Sequence, residues 1–173
     1  IPPSDAQKRH AISIEDIRRI QAECYKQDDE LRHIVALISD TGLRLAEAVG
    51  LHQEDLVLDA DVPHVIVREN AWRPLKTSTS HRLIPLVGAS LWVAQRIKQN
   101  GFEYAFPRYT DGVKCNSNSA SAALNKWIKQ VAGSGNVIHG FRHSFRDRLR
   151  AVTAPIDMID QLGGWSLQSV GQG

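Results

Sequence analysis

The sequence predicts an α+β domain that is mainly α-helical and contains a small antiparallel β-sheet. Apolar residues recur at helical spacing over most of the chain, as they do from Ile14 to Cys24. Between residues 62 and 85 the period shortens to two, and Val65 and Val67 alternate with their neighbours as in a strand. With 173 residues, the chain is long enough for one domain with a sizeable core.

The first part of the chain is predicted to be helical. Ser13 and Asp16 have the spacing of a capping box, which predicts a helix over residues 14–26. A second helix is predicted over residues 29–39, and it ends before Gly42. Its apolar residues are expected to be buried: Leu31, Ile34, Val35 and Ile38.

The sheet and four further helices are expected after residue 61. A three-stranded sheet is predicted within residues 62–85, with Lys76 near a turn. Pro155 suits the first turn of a helix, where its missing N–H costs nothing. Helices are predicted at residues 88–98, 120–131, 138–152 and 155–162, and an extended piece at 104–106.

Composition excludes several classes of protein. No stretch reaches the roughly 18 consecutive apolar residues of a spanning helix, and the N-terminus has no run of signal-peptide type. Cys24 and Cys115 form no C-x-x-C pair, which argues against a disulfide framework or a structural zinc site and for a reducing compartment. We therefore expect a cytoplasmic protein. Residues 1–10, with two prolines, are interpreted as a linker or domain edge.

The net charge of +2 hides an asymmetry along the chain. Residues 1–61 hold 7 Lys and Arg against 13 Asp and Glu, whereas residues 62–173 hold 14 against 6. A basic C-terminal part suits a polyanion, and four arginines lie within residues 142–150. The alternative is that these arginines only solvate a helix surface.

The segment HGFRHSF, residues 139–145, carries the clearest functional pattern. Helical spacing places His139, Arg142 and Arg146 along one face, while Phe141 and Phe145 belong to an apolar stripe on another. One face can pack and the other can bind an anion. The segment TGLRLAEAVGL supplies an arginine upstream, and LGGWS supplies a tryptophan downstream.

These segments resemble the catalytic domain of the tyrosine recombinases, or phage-type integrases, over roughly residues 8–173. Each block is weak evidence by itself, but four blocks in the right order are specific. The blocks are T-G-x-R-x-x-E at Thr41, Gly42, Arg44 and Glu47; a lysine and R-x-x-P at Lys76, Thr77, Arg82 and Pro85; His-x-x-Arg at His139 and Arg142; and Trp165.

The resemblance implies the tyrosine-recombinase catalytic-domain fold and a set of site residues, without metal or other cofactor. Five residues are implied to be catalytic: Arg44, Lys76, His139, Arg142 and Trp165. Glu47 is expected to support the first arginine. Contacts to DNA are expected from Arg82, Arg146 and Arg150.

Each residue type suits a step of DNA strand transfer. Arg44 and Arg142 would bind the non-bridging oxygens of the reacting phosphate, since a guanidinium offers a rigid fork of donors. Lys76 would act as general acid for the leaving 5′-oxygen, and His139 would help take the proton from the nucleophile. The indole N–H of Trp165 can donate to phosphate but cannot transfer a proton.

The resemblance also implies a reaction and partners. A tyrosine attacks a DNA phosphate, giving a covalent 3′-phosphotyrosine, and the strand is then rejoined. Double-stranded DNA is the expected partner. The full-length protein is expected to be a homotetramer on DNA and to be of bacterial, phage or mobile-element origin. The nucleophile is expected about nine residues after Trp165, just past Gly173, and Tyr25, Tyr104 and Tyr109 all lie upstream. The family's N-terminal core-binding domain is expected to lie outside this sequence.

Several alternatives stay open at this point. Arg44 could merely pair with Glu47, Lys76 could be an ordinary exposed lysine, and Trp165 could belong to the core. His139 could instead bind a metal with His143, although the intervening glutamate of H-E-x-x-H is missing. The whole domain could be a non-catalytic DNA-binding module or resemble a type IB topoisomerase.

Overall fold

A computed structural model describes residues 10–70, 72 and 80–165. The described part is mainly helical, with one small sheet. Its helices are α1 (Ile14–Gln27), α2 (Glu30–Ser39), α3 (Leu45–Val49), α4 (Gly88–Asn100), α5 (Ser117–Ala132), α6 (Gly140–Ala151) and α7 (Ile156–Gly163). Its strands are β1 (Leu56–Val57), β2 (His64–Val67) and β3 (Arg82–Pro85).

The predicted N-terminal helices are confirmed, together with the cap of the first. The Ser13 hydroxyl accepts from the Asp16 N–H at 3.1 Å, which satisfies one of the unpaired donors at the start of α1. Asp29 does the same for α2, accepting from the Arg32 N–H at 3.0 Å. Of the four apolar residues expected to be buried in α2, only Leu31 is partly exposed.

The sheet is antiparallel with strand order β1-β2-β3, as the predicted fold class requires. Val65 pairs with Leu56 on one side and with Ile84 on the other. The sequence placed all three strands within residues 62–85, but β1 lies before that range. Two residues are too few for alternation to be visible, so β1 is defined only by its pairing with β2.

Helix α2 lies at the centre of the core. Four consecutive residues of α2, Ile34–Leu37, have no exposed surface, because the helix contacts α1, α3, α4, α5 and α6. A helix that is buried on all sides needs neighbours around its whole circumference. The loop that follows α2 therefore emerges from a rigid base, and it carries Arg44.

The start of the described chain is fixed to α6. Ser144 accepts from the Ile12 N–H at 2.7 Å and donates to the Ile12 carbonyl at 2.8 Å. A Cβ on Gly140 would lie 2.9 Å from the His10 carbonyl oxygen, so only glycine allows this approach. Among the described helices, none is long and apolar enough to cross a bilayer.

Candidate active site

Arg44 stands between a tight turn and the short helix α3. Gly42 adopts φ +66°, and the Phe145 ring lies 2.6 Å from where its Cβ would be, so glycine is required there on two counts. Arg44 then caps α3, with its backbone N–H donating to Glu47 Oε1 at 2.8 Å. Its side chain donates to Glu47 Oε2 at 3.3 Å and to the Ser80 hydroxyl at 3.2 Å. The Arg44–Glu47 pair exists, and it fixes the guanidinium.

Arg82, which was expected to contact DNA, is buried. Its side chain has 0% exposure. Nη1 and Nη2 of Arg82 each donate to one oxygen of Glu47 at 2.8 Å, and Nη1 also donates to the Ser80 carbonyl at 2.6 Å. In this position Arg82 holds the carboxylate of Glu47 through two charge-assisted hydrogen bonds.

Glu47 is ionised in spite of its burial. Burial alone raises the pKa of this carboxyl, but the hydrogen bonds and charge of Arg82, followed by those of Arg44, lower it below the usual value. The carboxylate therefore lies between two guanidinium groups and holds both.

Arg142 is also buried, and both of its terminal nitrogens are bound. Nη1 donates to the Gly42 carbonyl at 2.7 Å and Nη2 to the Gly163 carbonyl at 2.8 Å. Burial lowers its pKa to about 9, and the charge of Arg44 is the next cause. Among the described residues, the nearby charges of Arg44, Arg82 and Arg146 lower the pKa of Arg142, and the carboxylate of Glu47 raises it. Such an excess of positive charge favours an anion.

Three arginines bind consecutive carbonyls at the C-terminal end of α7. Helix ends leave carbonyls without intrahelical partners, and the helix dipole makes this end negative, so cations stabilise it. Residues 162–164 use guanidinium donors from three different elements. Arg82 Nε donates to Leu162 at 2.9 Å, Arg142 Nη2 to Gly163 at 2.8 Å and Arg44 Nη2 to Gly164 at 3.1 Å.

Trp165 follows this helix end and lies against two arginines of α6. The Arg142 and Arg146 guanidinium carbons lie 4.7 and 3.9 Å from the indole ring centroid. Cation–π contact of this kind orients a guanidinium without using its N–H donors. Trp165 also packs on the core, as the alternative interpretation of this residue expects.

The other arginines of α6 differ in exposure. Arg150 is exposed in the last turn of the helix. Arg148 is 38% exposed and binds α2, donating to the Ser39 carbonyl and to Asp40 Oδ1 at 2.9 Å each. The four arginines within residues 142–150 therefore do not form a single DNA-facing surface, because Arg148 connects α6 to the end of α2.

His139 immediately precedes α6 and is exposed. A cavity of about 30 Å³ is lined by His139 and Arg142 with Leu43, Leu45 and Ile138. The two members of the His-x-x-Arg pair therefore border the same depression. The ring of His139 meets that of His143 edge to face at 5.4 Å. In the described ranges, no group of three potential metal-ligating side chains occurs.

Lys76 and Thr77 lie outside the described residues. The nearest described residue before them, Trp72, donates from Nε1 to the Gly50 carbonyl at 2.7 Å and packs edge to face on Tyr104. Sequence reasoning missed Trp72 and Ser80. Neither carries a motif of its own, and their importance depends on contacts with distant segments.

The sequence model of the phage integrase family matches residues 11–172. The chain belongs to the phage integrase family. A search of curated proteins found no match to this chain.

Solved structures of tyrosine recombinases share the fold of this integrase-family chain. XerA recombinase is 18% identical, with a TM-score of 0.71 over 99% of this chain and 59% of its own. The Tn1549 transposon integrase in complex with transposon right-end DNA is 18% identical, with a TM-score of 0.64 over 94% of this chain and 60% of its own. A lambda integrase dimer bound to a core site is 15% identical, with a TM-score of 0.63 over 95% of this chain and 47% of its own.

At sequence identities this low, the structural likeness shows a shared fold and nothing finer. The predicted recombinase fold class is therefore confirmed. The chain spans about three fifths of the length of XerA recombinase and of the Tn1549 integrase.

Proposed function

We propose that this integrase-family chain is the catalytic domain of a site-specific DNA recombinase. In this reaction a tyrosine hydroxyl attacks a DNA phosphate, which gives a 3′-phosphotyrosine and a free 5′-hydroxyl, and the strand is then rejoined to a new end. The bond energy is kept in the covalent link, so the proposed chemistry needs neither ATP nor metal. The observation that carries the proposal is the convergence of Arg44 and Arg142 on one helix end.

The arrangement suits a phosphate whose charge grows in the transition state. A guanidinium has five N–H donors. The hydrogen bonds that Arg44 and Arg142 make to the described residues leave part of each fork for a ligand. The carboxylate of Glu47 and the carbonyls hold both groups in place before the ligand arrives. Donors fixed in advance stabilise developing charge without a cost of reorganisation.

The remaining site residues take the roles that their chemistry allows. His139, beside the cavity that Arg142 lines, hydrogen-bonds the phosphate and helps remove the proton of the nucleophile. Lys76 is the proposed general acid. Trp165 orients the guanidinium groups of Arg142 and Arg146.

The nucleophile in this proposal is a tyrosine after residue 173 of the natural protein. The three tyrosines of the chain are engaged elsewhere. Tyr25 packs on Trp92 with ring centroids 4.6 Å apart, Tyr104 packs on Trp72, and Tyr109 is 6% exposed. Burial is the first cause of a raised pKa in all three, which disfavours the reactive phenolate.

Double-stranded DNA is the proposed partner, and Arg146 and Arg150 are proposed to contact its phosphates. Arg146 is partly exposed and Arg150 is exposed, and both lie on α6, which also carries Arg142. The proposal also includes a homotetramer of the full-length protein on DNA. It further includes a cytoplasmic location and a bacterial, phage or mobile-element origin.

Covalent capture of DNA tests the reaction. The 173-residue chain and a version extended by its natural downstream residues are incubated with nicked recombination-site DNA and separated on a denaturing gel. We expect a protein–DNA band from the extended chain alone, because only that chain supplies the nucleophile. Binding without a band from the extended chain would support a non-catalytic DNA-binding module, and a band from the shorter chain would mean that another tyrosine attacks.

A further inference from the structure

Arg82 connects the two halves of the candidate site. Through Nη1 and Nη2 it holds both oxygens of Glu47, and Glu47 in turn holds Arg44. Through Nε it holds the Leu162 carbonyl at the end of α7. One buried fork therefore contacts α3, the Ser80 carbonyl two residues upstream and the last turn of α7.

The fit between Arg82 and the end of α7 leaves no free space. Gly164 has φ +65°, and a Cβ there would lie 2.6 Å from Arg82 Nη1 and 2.8 Å from its Cζ. Arg44 donates to the carbonyl of this same glycine at 3.1 Å, and Trp165 follows directly. A displacement of the last turn would therefore move Trp165 and remove a partner of Arg44 together.

We propose that Arg82 is a positioning residue that couples Arg44 to the C-terminal turn of α7, so that the phosphate-binding donors are presented only while that turn is docked. This inference rests on the proposed function, since it assumes that Arg44 binds DNA phosphate. Arg82 itself touches no DNA, because its side chain is fully enclosed. Its effect on binding passes through Glu47 and through the helix end.

Arg82→Lys tests the coupling because it keeps the charge and loses the fork. An ammonium cannot hold both Glu47 oxygens and reach the Leu162 carbonyl at once. Arg148→Lys is the matched control, since Arg148 also joins two elements through a carbonyl and a carboxylate, on α2. Arg44→Ala gives the effect of losing the phosphate contact itself.

Two measurements are made on the 173-residue chain and its variants. The first is the salt dependence of duplex DNA binding, followed by fluorescence anisotropy of a labelled duplex. The slope of log K against log salt is negative, and its absolute value is called the slope here. Each lost phosphate contact lowers this value by about 0.9. The second is amide hydrogen exchange of residues 160–165, which reports docking of the last turn of α7.

We expect Arg82→Lys to lower the slope by about 0.9, as Arg44→Ala does. We also expect it to speed exchange at the end of α7 by at least about tenfold, since opening of that turn becomes easier. Arg148→Lys should leave the salt slope unchanged, and it should not speed exchange at the end of α7 more than elsewhere in the chain.

A second pair of variants reaches the same contact from the other side. Gly164→Ala pushes a methyl group against Arg82, whereas Gly101→Ala imposes a similar backbone strain at φ +72° with no atom within 4 Å. We expect Gly164→Ala to reproduce the slope and exchange changes of Arg82→Lys, and Gly101→Ala to leave the slope unchanged. This pair also serves if Arg82→Lys does not fold.

The outcomes separate the inference from the proposed function. If Arg44→Ala lowers the slope while Arg82→Lys and Gly164→Ala keep it, the coupling is wrong and the phosphate site stands. If the unaltered chain binds DNA without salt dependence, or Arg44→Ala keeps its slope, both are overturned.

Discussion

Glu47→Gln should destabilise the domain far more than an ordinary loss of a carboxylate. The substitution leaves the Arg82 guanidinium charged, with 0% of its side chain exposed and no counter-ion. It also places an amide nitrogen, which donates, where an oxygen now accepts from Arg82 or Arg44. Removing one partner of a buried ion pair costs about 3–5 kcal/mol. For a domain of this length, that corresponds to a fall in Tm of roughly 6–20 °C.

Asp55→Asn is the matched control. Asp55 is also fully buried and pairs with an arginine, since Arg68 Nε lies 2.7 Å from Oδ1, but the Arg68 side chain is 44% exposed. Its guanidinium can turn to water when the charge of the partner is removed, so we expect a loss of about 1–2 kcal/mol. Thermal and urea unfolding of both variants measure the difference.

The pH dependence gives a second test of the same pair. The folded pKa of Glu47 is lowered, so the stability that its ionisation contributes is fully present above the ordinary glutamate pKa of about 4.3. That stability is lost as pH falls below this value. The gap in unfolding free energy between the unaltered chain and Glu47→Gln should therefore be constant near pH 7 and narrow towards pH 3. The reasoning would be refuted if Glu47→Gln lowered the free energy of unfolding no more than Asp55→Asn does, and if its difference from the unaltered chain did not change with pH.

Further predictions concern DNA. In an extended chain, Arg142→Ala should slow single-turnover cleavage by about 10²–10³ while changing affinity much less, because a contact to developing charge strengthens in the transition state; equal losses in both would make it a docking residue. Lys76→Ala should be rescued by DNA with sulfur at the leaving 5′ position, since a thiolate needs no general acid, and lack of rescue would assign the acid elsewhere. Arg146→Ala and Arg150→Ala should each lower the salt slope of duplex binding by about 0.9, and an unchanged slope would remove that residue from the DNA surface.

The sequence predicts the helices well, because their signals are local. The hydroxyl at Ser13 and the spacing of apolar residues act within one or two turns, and α1 and α2 follow them. β1 had no such signal, since its two residues become a strand only by pairing with β2. Local patterns therefore predict elements that stabilise themselves, and fail for elements that distant partners define.

Arg82 shows how the site could have been predicted more fully. Alternation in β3 that buries Ile84 also buries Arg82, two residues earlier on the same face. A fully buried arginine is almost always paired, and Glu47 was already expected to support Arg44. The order of the motifs predicted which residues belong to the candidate site. The two-residue period of β3 additionally indicates that Arg82 is buried. The binding of three arginines to the carbonyls of residues 162–164 could not be predicted, because backbone carbonyls leave no pattern in the sequence of side chains.

The attachment of residues 10–12 to α6 has a mechanical consequence. Ser144 clamps the backbone of Ile12 from both sides, and Gly140 lets the His10 carbonyl approach the first turn of the helix. A force that acts on the backbone of residues 10–12 is thus delivered directly to the helix that begins beside His139. A displacement of these residues would therefore tilt the first turn of α6 and move Arg142, which lies on the same helix.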